Sequence, residues 1–298
     1  MKKVINVGII GFSDGNGHPF SWSAIINGFN KKKLNKCPFP IIRKYLGDRQ
    51  NFDDVIDGVN VTHIWTQSRD YSEMVSEFAY IPNIVNSFHD MIGAVDAVLL
   101  ARDDFENHLY HSLPFIEAGI PIYIDKPIAV NTSNLDNILT KQLYKGQIFS
   151  HSALRFAKEF NFDKHYINEF GKIKELIAKA PKDWAHYSIH IIEPVINVFK
   201  LNNNFEIVSN DNYGQNGKIL NVKWDSIESV KFITTGEIES ELSLEIIGSN
   251  KSEKIIFKDT YYAFKRCIIE FIHGIRNNSN IYSENELYLY VKLIETGY

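Results

Sequence analysis

The sequence predicts an α/β protein in two parts. A doubly wound parallel sheet covers residues 1–150, and an α+β part with a largely antiparallel open sheet covers 151–298. Three observations lead there. In the first half, apolar β-branched runs alternate with helical patterns, which is the rhythm of βαβ units. A glycine-rich turn separates the first run from the first helix. After Arg155 the rhythm changes to short strands divided by turn signals. The chain has 298 residues, 44% apolar and 23% charged, ample for a sizeable core.

Taken in order, Lys3 to Ile10 reads as a strand. Val4, Ile5, Val7, Ile9 and Ile10 are nearly continuous, as burial on both faces requires. Gly11-Phe12-Ser13-Asp14-Gly15-Asn16-Gly17-His18 follows, then Pro19 and a helix with Trp22, Ala24, Ile25, Ile26 and Phe29 as its apolar positions. Strand, glycine-rich turn and helix form the setting in which a dinucleotide pyrophosphate rests on backbone N–H groups. The pattern departs from Gly-x-Gly-x-x-Gly in having Ser13 in its second glycine slot and a longer turn.

Residues 30–60 read as a long excursion, since Cys37-Pro38-Phe39-Pro40 cannot be helix interior. It either covers the cofactor site or is a surface loop. Val61 to Thr66 is the second strand, and a helix runs from about Tyr71 to Ala79. An acid near the end of this strand holds ribose hydroxyls in NAD-binding folds. Here Thr66 and Gln67 stand there, with Arg69 nearby. Arg69 either tilts the chain toward NADP or pairs on the surface with Asp70 or Glu73.

Asn83-Ile-Val is a short third strand and Val95 to Ala101 the fourth. Arg102 and a helix with His108, His111 and Phe115 come next. Ile120 to Ile124 is the fifth strand, ending in Asp125-Lys126-Pro127. Ligands of open α/β sheets sit at the carboxyl ends of strands, so Lys126 is placed where a nicotinamide would meet its substrate. A helix near Leu135–Leu143 leads to a sixth strand, Gln147 to Ser152.

In the second part, strands are expected at Ile173–Ala178, Phe205–Val208, Ile219–Trp224, Ser229–Thr234, Ser240–Ile247 and Lys254–Phe257. Helices are expected at Ile191–Phe199, Tyr261–Ile275 and Glu284–Ile294. Before the first of these helices, His186, His190 and Glu193 have helical spacing and would share one face. Pro194 argues that the regular helix starts near Ile191. The same spacing permits a metal site, but the proline interrupts it and no cysteine is near, so no metal is expected.

The formal charge is −4, and Lys31-Lys32-Lys33 is the only basic run, so a nucleic-acid partner is not expected. The two cysteines, Cys37 and Cys267, make no disulfide framework. No secretory leader or membrane span is read, and a cytoplasmic location is the expectation.

Several stretches together resemble the Gfo/Idh/MocA oxidoreductases, a family named for glucose–fructose oxidoreductase and inositol dehydrogenase. They are Val7-Gly-Ile-Ile-Gly11 with its turn, Glu117-Ala-Gly-Ile-Pro-Ile-Tyr-Ile-Asp-Lys-Pro127, Ser152-Ala-Leu-Arg155, and the residues around His190. Most members have Glu-Lys-Pro where this chain has Asp125-Lys126-Pro127. In the family's Asp-x-Gly-x-His-x-x-Asp pattern, His190 takes the histidine, while His186, Ser188 and Glu193 replace the first acid, the glycine and the last acid.

The resemblance implies a Rossmann-type first domain, a second domain for substrate and oligomerisation, NAD or NADP as cofactor, and a sugar or nucleotide-linked sugar as substrate, with surface polysaccharide synthesis in the family's range. It implies Lys126 and His190 as catalytic groups. Cofactor contacts are expected from Gly11 through His18, from Thr66, Gln67 and Arg69, and from Ala101, Arg102, Asp125 and Lys126. Substrate contacts are expected from Lys126, Arg155, Trp184, His186, Tyr187, His190 and Glu193, the arginine as a charge clamp and the aromatics as flat faces for a sugar. A homodimer or homotetramer is expected. A non-catalytic nucleotide- or sugar-binding relative, acting as sensor or assembly subunit, stays open as the alternative.

Overall fold

The computed structural model describes residues 4–49, 55–277 and 283–298. Lys3, at the start of the expected first strand, and residues 50–54 of the expected excursion lie outside them. The chain divides into two compact units. The first comprises residues 1–129, 136–150 and 264–282; the second comprises 130–135, 151–263 and 283–298.

The first unit is a parallel sheet of β1 (Ile5–Gly11), β2 (Val59–Thr66), β3 (Asn83–Ile84), β4 (Ala97–Leu100), β5 (Ile122–Ile124) and β6 (Ile148–Phe149). Its order is β3-β2-β1-β4-β5-β6, that of dinucleotide-binding sheets. β4 and β5 are wholly buried, which their apolar runs anticipate. The connecting helices are α1 (His18–Asn27), α2 (Pro40–Gly47), α3 (Arg69–Ala79), α4 (His108–Glu117) and, from Asp136 on, α5 (Thr132–Leu139). The excursion after α1 therefore contains a helix, α2, with Pro40 in its first turn, where a missing N–H costs nothing.

The second unit carries β7 (Ile173–Ala180), β8 (Phe205–Tyr213), β9 (Gly217–Trp224), β10 (Ile227–Thr234), β11 (Ser243–Gly248) and β12 (Ser252–Ile256) in the order β12-β11-β7-β10-β9-β8. β7 and β10 pair in parallel; the other neighbours are antiparallel. Its helices include α6 (Lys164–Glu169), α7 (Trp184–Tyr187) and α8 (Ile189–Phe199). Pro194 lies past the first turn of α8, so the expected late start at Ile191 is corrected. Residues Ile189 to Ile196 are all buried, and that packing outweighs the lost hydrogen bond.

The last helices, α9 (Thr260–Asn277) and α10 (Glu284–Gly297), separate. From Phe264 on, α9 belongs to the first unit, which corrects the expected division at 150. The reason is aromatic packing: Phe264 meets Trp22, and Phe271 meets Tyr123 and Phe149. α10 belongs to the second unit, where the Ile294 carbonyl accepts from Trp184 Nε1 at 2.8 Å.

Two glycines on β1 make a test of this packing. A Cβ on Gly11 would stand 2.5 Å from Cγ of the Pro19 ring, whereas one on Gly8 would meet the flexible end of Met91 at 2.6 Å. Gly11→Ala should therefore lower stability by roughly 1–3 kcal/mol, and Gly8→Ala by clearly less. Urea unfolding of both variants checks the ranking, and equal midpoints would contradict it.

Candidate active site

The turn after β1 and the carboxyl end of β5 are joined by one buried acid. Asp125 is 0% exposed. Its Oδ2 accepts from Asn16 Nδ2 at 3.0 Å and lies 2.5 Å from His18 Nδ1, while Oδ1 accepts from the Lys126 backbone N–H at 2.8 Å. Burial by itself would raise the pKa of this carboxyl. The charges of His18 and Lys126, with the hydrogen bonds from His18 and Asn16, outweigh burial and hold it well below the usual carboxylate range. The glycine-rich turn, the first residue of α1 and the end of β5 are thus fastened together. His18 also stacks on Trp22, and Trp22 on Tyr123.

Lys126 is buried, with Nζ 3.9 Å from Asp103 Oδ2. The peptide bond to Pro127 is cis. Asp103 in turn pairs with Ser13, whose Oγ also accepts from the Asp103 N–H at 3.0 Å. Ser13, in the second glycine slot, therefore binds across to the end of β4.

A second network crosses the same strand ends. Arg102 forks onto Asp104 at 2.9 and 2.5 Å and donates to Gln67 Oε1 at 3.1 Å. The Gln67 amide pairs with the Phe12 backbone in both directions, at 3.0 and 2.6 Å. Burial raises the Asp104 pKa, but the hydrogen bonds from Arg102 and Asn107 and the charge of Arg102 bring it below its ordinary value. Ala101 is fully buried, its N–H donating to Ile10 O at 2.7 Å. His108, also fully buried, places its ring nitrogens 2.7 Å from Arg102 O and 3.0 Å from Ile128 O.

These bonds redirect several expected cofactor contacts. Gln67, Arg102 and Asp125 direct their polar heads at the protein. Thr66 Oγ1 donates to Ser68 O at 2.6 Å and meets Ser72 Oγ, so its hydroxyl organises the start of α3. Arg69 pairs with Glu73 at 3.1 Å, with both side chains more than half exposed, which is the surface alternative for that residue. What faces outward is the tip of the turn, Asp14 and Gly15. Gly15 has φ +75°, and nothing lies within 4 Å of the Cβ it lacks. A backbone open in this way, at the start of a helix in a sheet of this order, fits the diphosphate of a dinucleotide.

The second unit holds a separate cluster. Glu193, on α8, is 0% exposed. Its Oε1 lies 2.5 Å from His151 Nδ1 and accepts from Arg155 Nη1 at 3.4 Å, and its Oε2 accepts from the Ser152 N–H at 2.7 Å. Arg155 also donates to Tyr290 OH at 2.7 Å and pairs with Glu286 at 3.0 Å. Burial pushes the Tyr290 phenol up, with the neighbouring Glu193 charge adding to it.

His190, 9% exposed, has Nδ1 2.8 Å from Ser152 Oγ and an edge contact with the Tyr187 ring. His186 is half-buried and faces Asp183, which caps α7. Burial raises the Asp183 pKa, and the hydrogen bonds from His186 bring it below its ordinary value.

Three of the expected substrate contacts have their polar groups engaged within the protein. Glu193 is sealed inside, Arg155 is held among acids and a phenol, and Trp184 is buried with its indole N–H on Ile294 O. His186, Tyr187 and His190 keep polar or half-buried faces. Among the described residues, no group of three His, Cys, Asp or Glu could hold a metal ion. No helix among them is long and apolar enough to cross a membrane. Sequence reasoning gave no site role to Asp103, His151 or Ser152, although Ser152 stood in a stretch that carries the resemblance; for Asp103 the available signal was its position just past the fourth strand.

A parallel sheet in dinucleotide-binding order, with a buried acid–lysine pair at the end of β5, defines the class of fold. No family model and no curated protein matches the sequence. Solved structures match its fold. The myo-inositol 2-dehydrogenase from Lactobacillus plantarum aligns over 99% of this chain and 96% of its own, with TM-score 0.71 and 12% identity. A dehydrogenase from Clostridium difficile aligns over 99% and 98%, with TM-score 0.70 and 15% identity. A Gfo/Idh/MocA family oxidoreductase from Vibrio cholerae aligns over 98% and 95%, with TM-score 0.66 and 10% identity. At such identities the likeness establishes the fold, and it is the fold of these dehydrogenases.

The Asp125 junction yields a prediction. Asp125→Asn sets an amide N–H₂ against groups that already donate, and should cost roughly 1–3 kcal/mol at neutral pH. The native pKa lies below the unfolded one, so the stabilisation is complete above the ordinary carboxylate value. It fades only as pH falls below about 4. Urea unfolding should show a gap between wild type and variant that does not shrink from pH 7 to 5 and narrows in stronger acid. A gap that closes between pH 7 and 5 would rule the assignment out.

Proposed function

We propose that this chain is an NAD(P)-dependent oxidoreductase that moves a hydride between nicotinamide and a secondary alcohol of a sugar or nucleotide-linked sugar. The observation that carries the reading is Lys126, buried at the end of β5 and tied through Asp125 to the glycine-rich turn. The structural neighbours, dehydrogenases by name, support it.

The nicotinamide, when bound, supplies the hydride acceptor. The open turn at Gly15 is assigned to its diphosphate. On oxidation, the alcohol O–H proton must pass to the protein as the carbonyl forms. Lys126 holds the alcohol oxygen, and His190 exchanges the proton. Nucleotide-linked sugars of surface polysaccharide synthesis are the first substrates to test, on the strength of the family resemblance. The second sheet carries half-buried Ile177, Ile219, Ile233 and Ile247 opposite its core-facing residues, and we assign this face to contact between identical subunits.

One observation favours the non-catalytic reading. Phe12, Asn16 and His18 direct their N–H groups at protein acceptors, and Pro19 has none, which leaves the turn fewer donors for a diphosphate. A thermal-shift screen with NAD, NADH, NADP and NADPH separates the readings, because a ligand bound only by the folded state raises its melting temperature. At least one of the four should stabilise the chain, and flat curves for all four would count against the enzyme. Lys126→Ala should lower turnover by roughly 100-fold or more while the shift with cofactor persists. Undiminished turnover in that variant would remove Lys126 from the reaction.

A further inference from the structure

The geometry of the second unit points to Ser152 and Glu193 as positioning residues for His190: Glu193 fixes the backbone of Ser152, and the Ser152 hydroxyl fixes the imidazole. The inference rests on the reading of His190 as the proton-exchanging group and gives Ser152 and Glu193 a positioning role, where Glu193 was expected to touch substrate. Ser152 is 0% exposed. Its Oγ accepts the Leu154 N–H at 3.2 Å, which closes the turn over Ala153–Phe156, and lies 2.8 Å from His190 Nδ1. That leaves the hydroxyl one hydrogen and one lone pair.

Both are what a proton-exchanging imidazole needs from its partner. With the hydroxyl hydrogen directed at Nδ1, the neutral ring carries its proton on Nε2. With the hydroxyl turned about, its lone pair accepts from an Nδ1–H, and Nε2 of the neutral ring is the basic nitrogen. Protonated His190 donates from Nδ1 in the same way. A rotation of one O–H bond therefore serves every protonation state of the ring without moving a heavy atom. A carboxylate in this place would accept only, and would favour the charged ring. Since Nδ1 is engaged by Ser152, exchange with a bound alcohol runs through Nε2.

Glu193 makes the arrangement rigid. It lies one helical turn after His190 on α8, fully buried, and its Oε2 holds the Ser152 N–H at 2.7 Å. His151 and Arg155, on either side of Ser152, hold its other oxygen. The segment from His151 to Arg155 is thus clamped at three points to the helix that carries His190. The Tyr187 ring bounds the imidazole with an edge contact.

The test is nitrogen-15 NMR of the full chain with labelled histidine. The His190 signals are assigned by their loss in His190→Gln. In Ser152→Ala, the Nδ1 and Nε2 shifts of His190 should move toward those of a freely tautomerising imidazole. Ser152→Thr, which keeps the Oγ, should hold them at their wild-type values. Glu193→Gln should move them in the same sense as Ser152→Ala. Signals unchanged in both Ser152→Ala and Glu193→Gln would overturn the inference, even if both variants were less stable, since a merely structural role leaves the tautomer alone. Should Ser152→Ala fail to fold, Glu193→Gln and Ser152→Thr decide the matter alone.

With a sugar substrate identified, Ser152→Ala should lose about tenfold or more in kcat, with the KM for cofactor unchanged. Loss of cofactor affinity with kcat intact would contradict positioning. A wild type that turns over no sugar, but whose His190 signals still respond to Ser152→Ala, would keep the positioning and reject the oxidoreductase reading.

Discussion

A carboxylate with no exposed surface has to find a partner for every lone pair it loses to burial. Left bare, the charge costs several kcal/mol even after the surroundings relax. Asp125 meets that demand with Asn16, His18 and the Lys126 N–H, which come from two places in the sequence. Satisfying one acid therefore fixes where the glycine-rich turn ends, where α1 begins and how the chain leaves β5. Arg102, Gln67 and Asp104 do the same work one strand over, drawing the end of β4 to Phe12 at the end of β1. The strand ends form a built surface because buried charges leave them no freedom.

Glu193 plays the corresponding part in the second unit. It holds His151, the Ser152 N–H and Arg155, so a short irregular segment is set against α8. Ser152 then reaches His190. In both units the acid stands close in sequence to the group assigned to chemistry, adjacent to Lys126 in one and three residues after His190 in the other. In both, the acid is an organiser and faces away from solvent. With both oxygens bonded inside the protein and no exposed surface, Glu193 acts here as framework.

The same demand shapes the glycine-rich turn to which the diphosphate is assigned. Ser13 crosses to Asp103, and Asn16 crosses to Asp125, so the turn is pinned at both ends and exposed only at Asp14 and Gly15. Pinning of this kind preorganises a loop, since little conformational entropy remains to be lost when a ligand settles on it. The same bonds consume N–H groups that such loops commonly present. What stays open is the backbone at Gly15.

The alternation of apolar runs by itself determined the architecture of the first sheet and the number of strands in the second, because burial on one or both faces writes a period directly into the residues. It also placed Lys126, since a charged pair ending a buried strand has only one end of the sheet to occupy. Only the tertiary structure decided which side chains beside Lys126 and His190 are exposed. Trp184, Arg155 and Glu193 have the chemistry of sugar-binding residues, and their neighbours in sequence give no sign that Ile294, Tyr290 and His151 take up their polar atoms. The same holds for α9, whose amphipathic pattern specifies an apolar stripe but not the aromatics of Trp22, Tyr123 and Phe149 that receive it. Hydrogen-bond partners and packing faces far apart in the chain are chosen by the completed fold, and local periodicity carries no record of them.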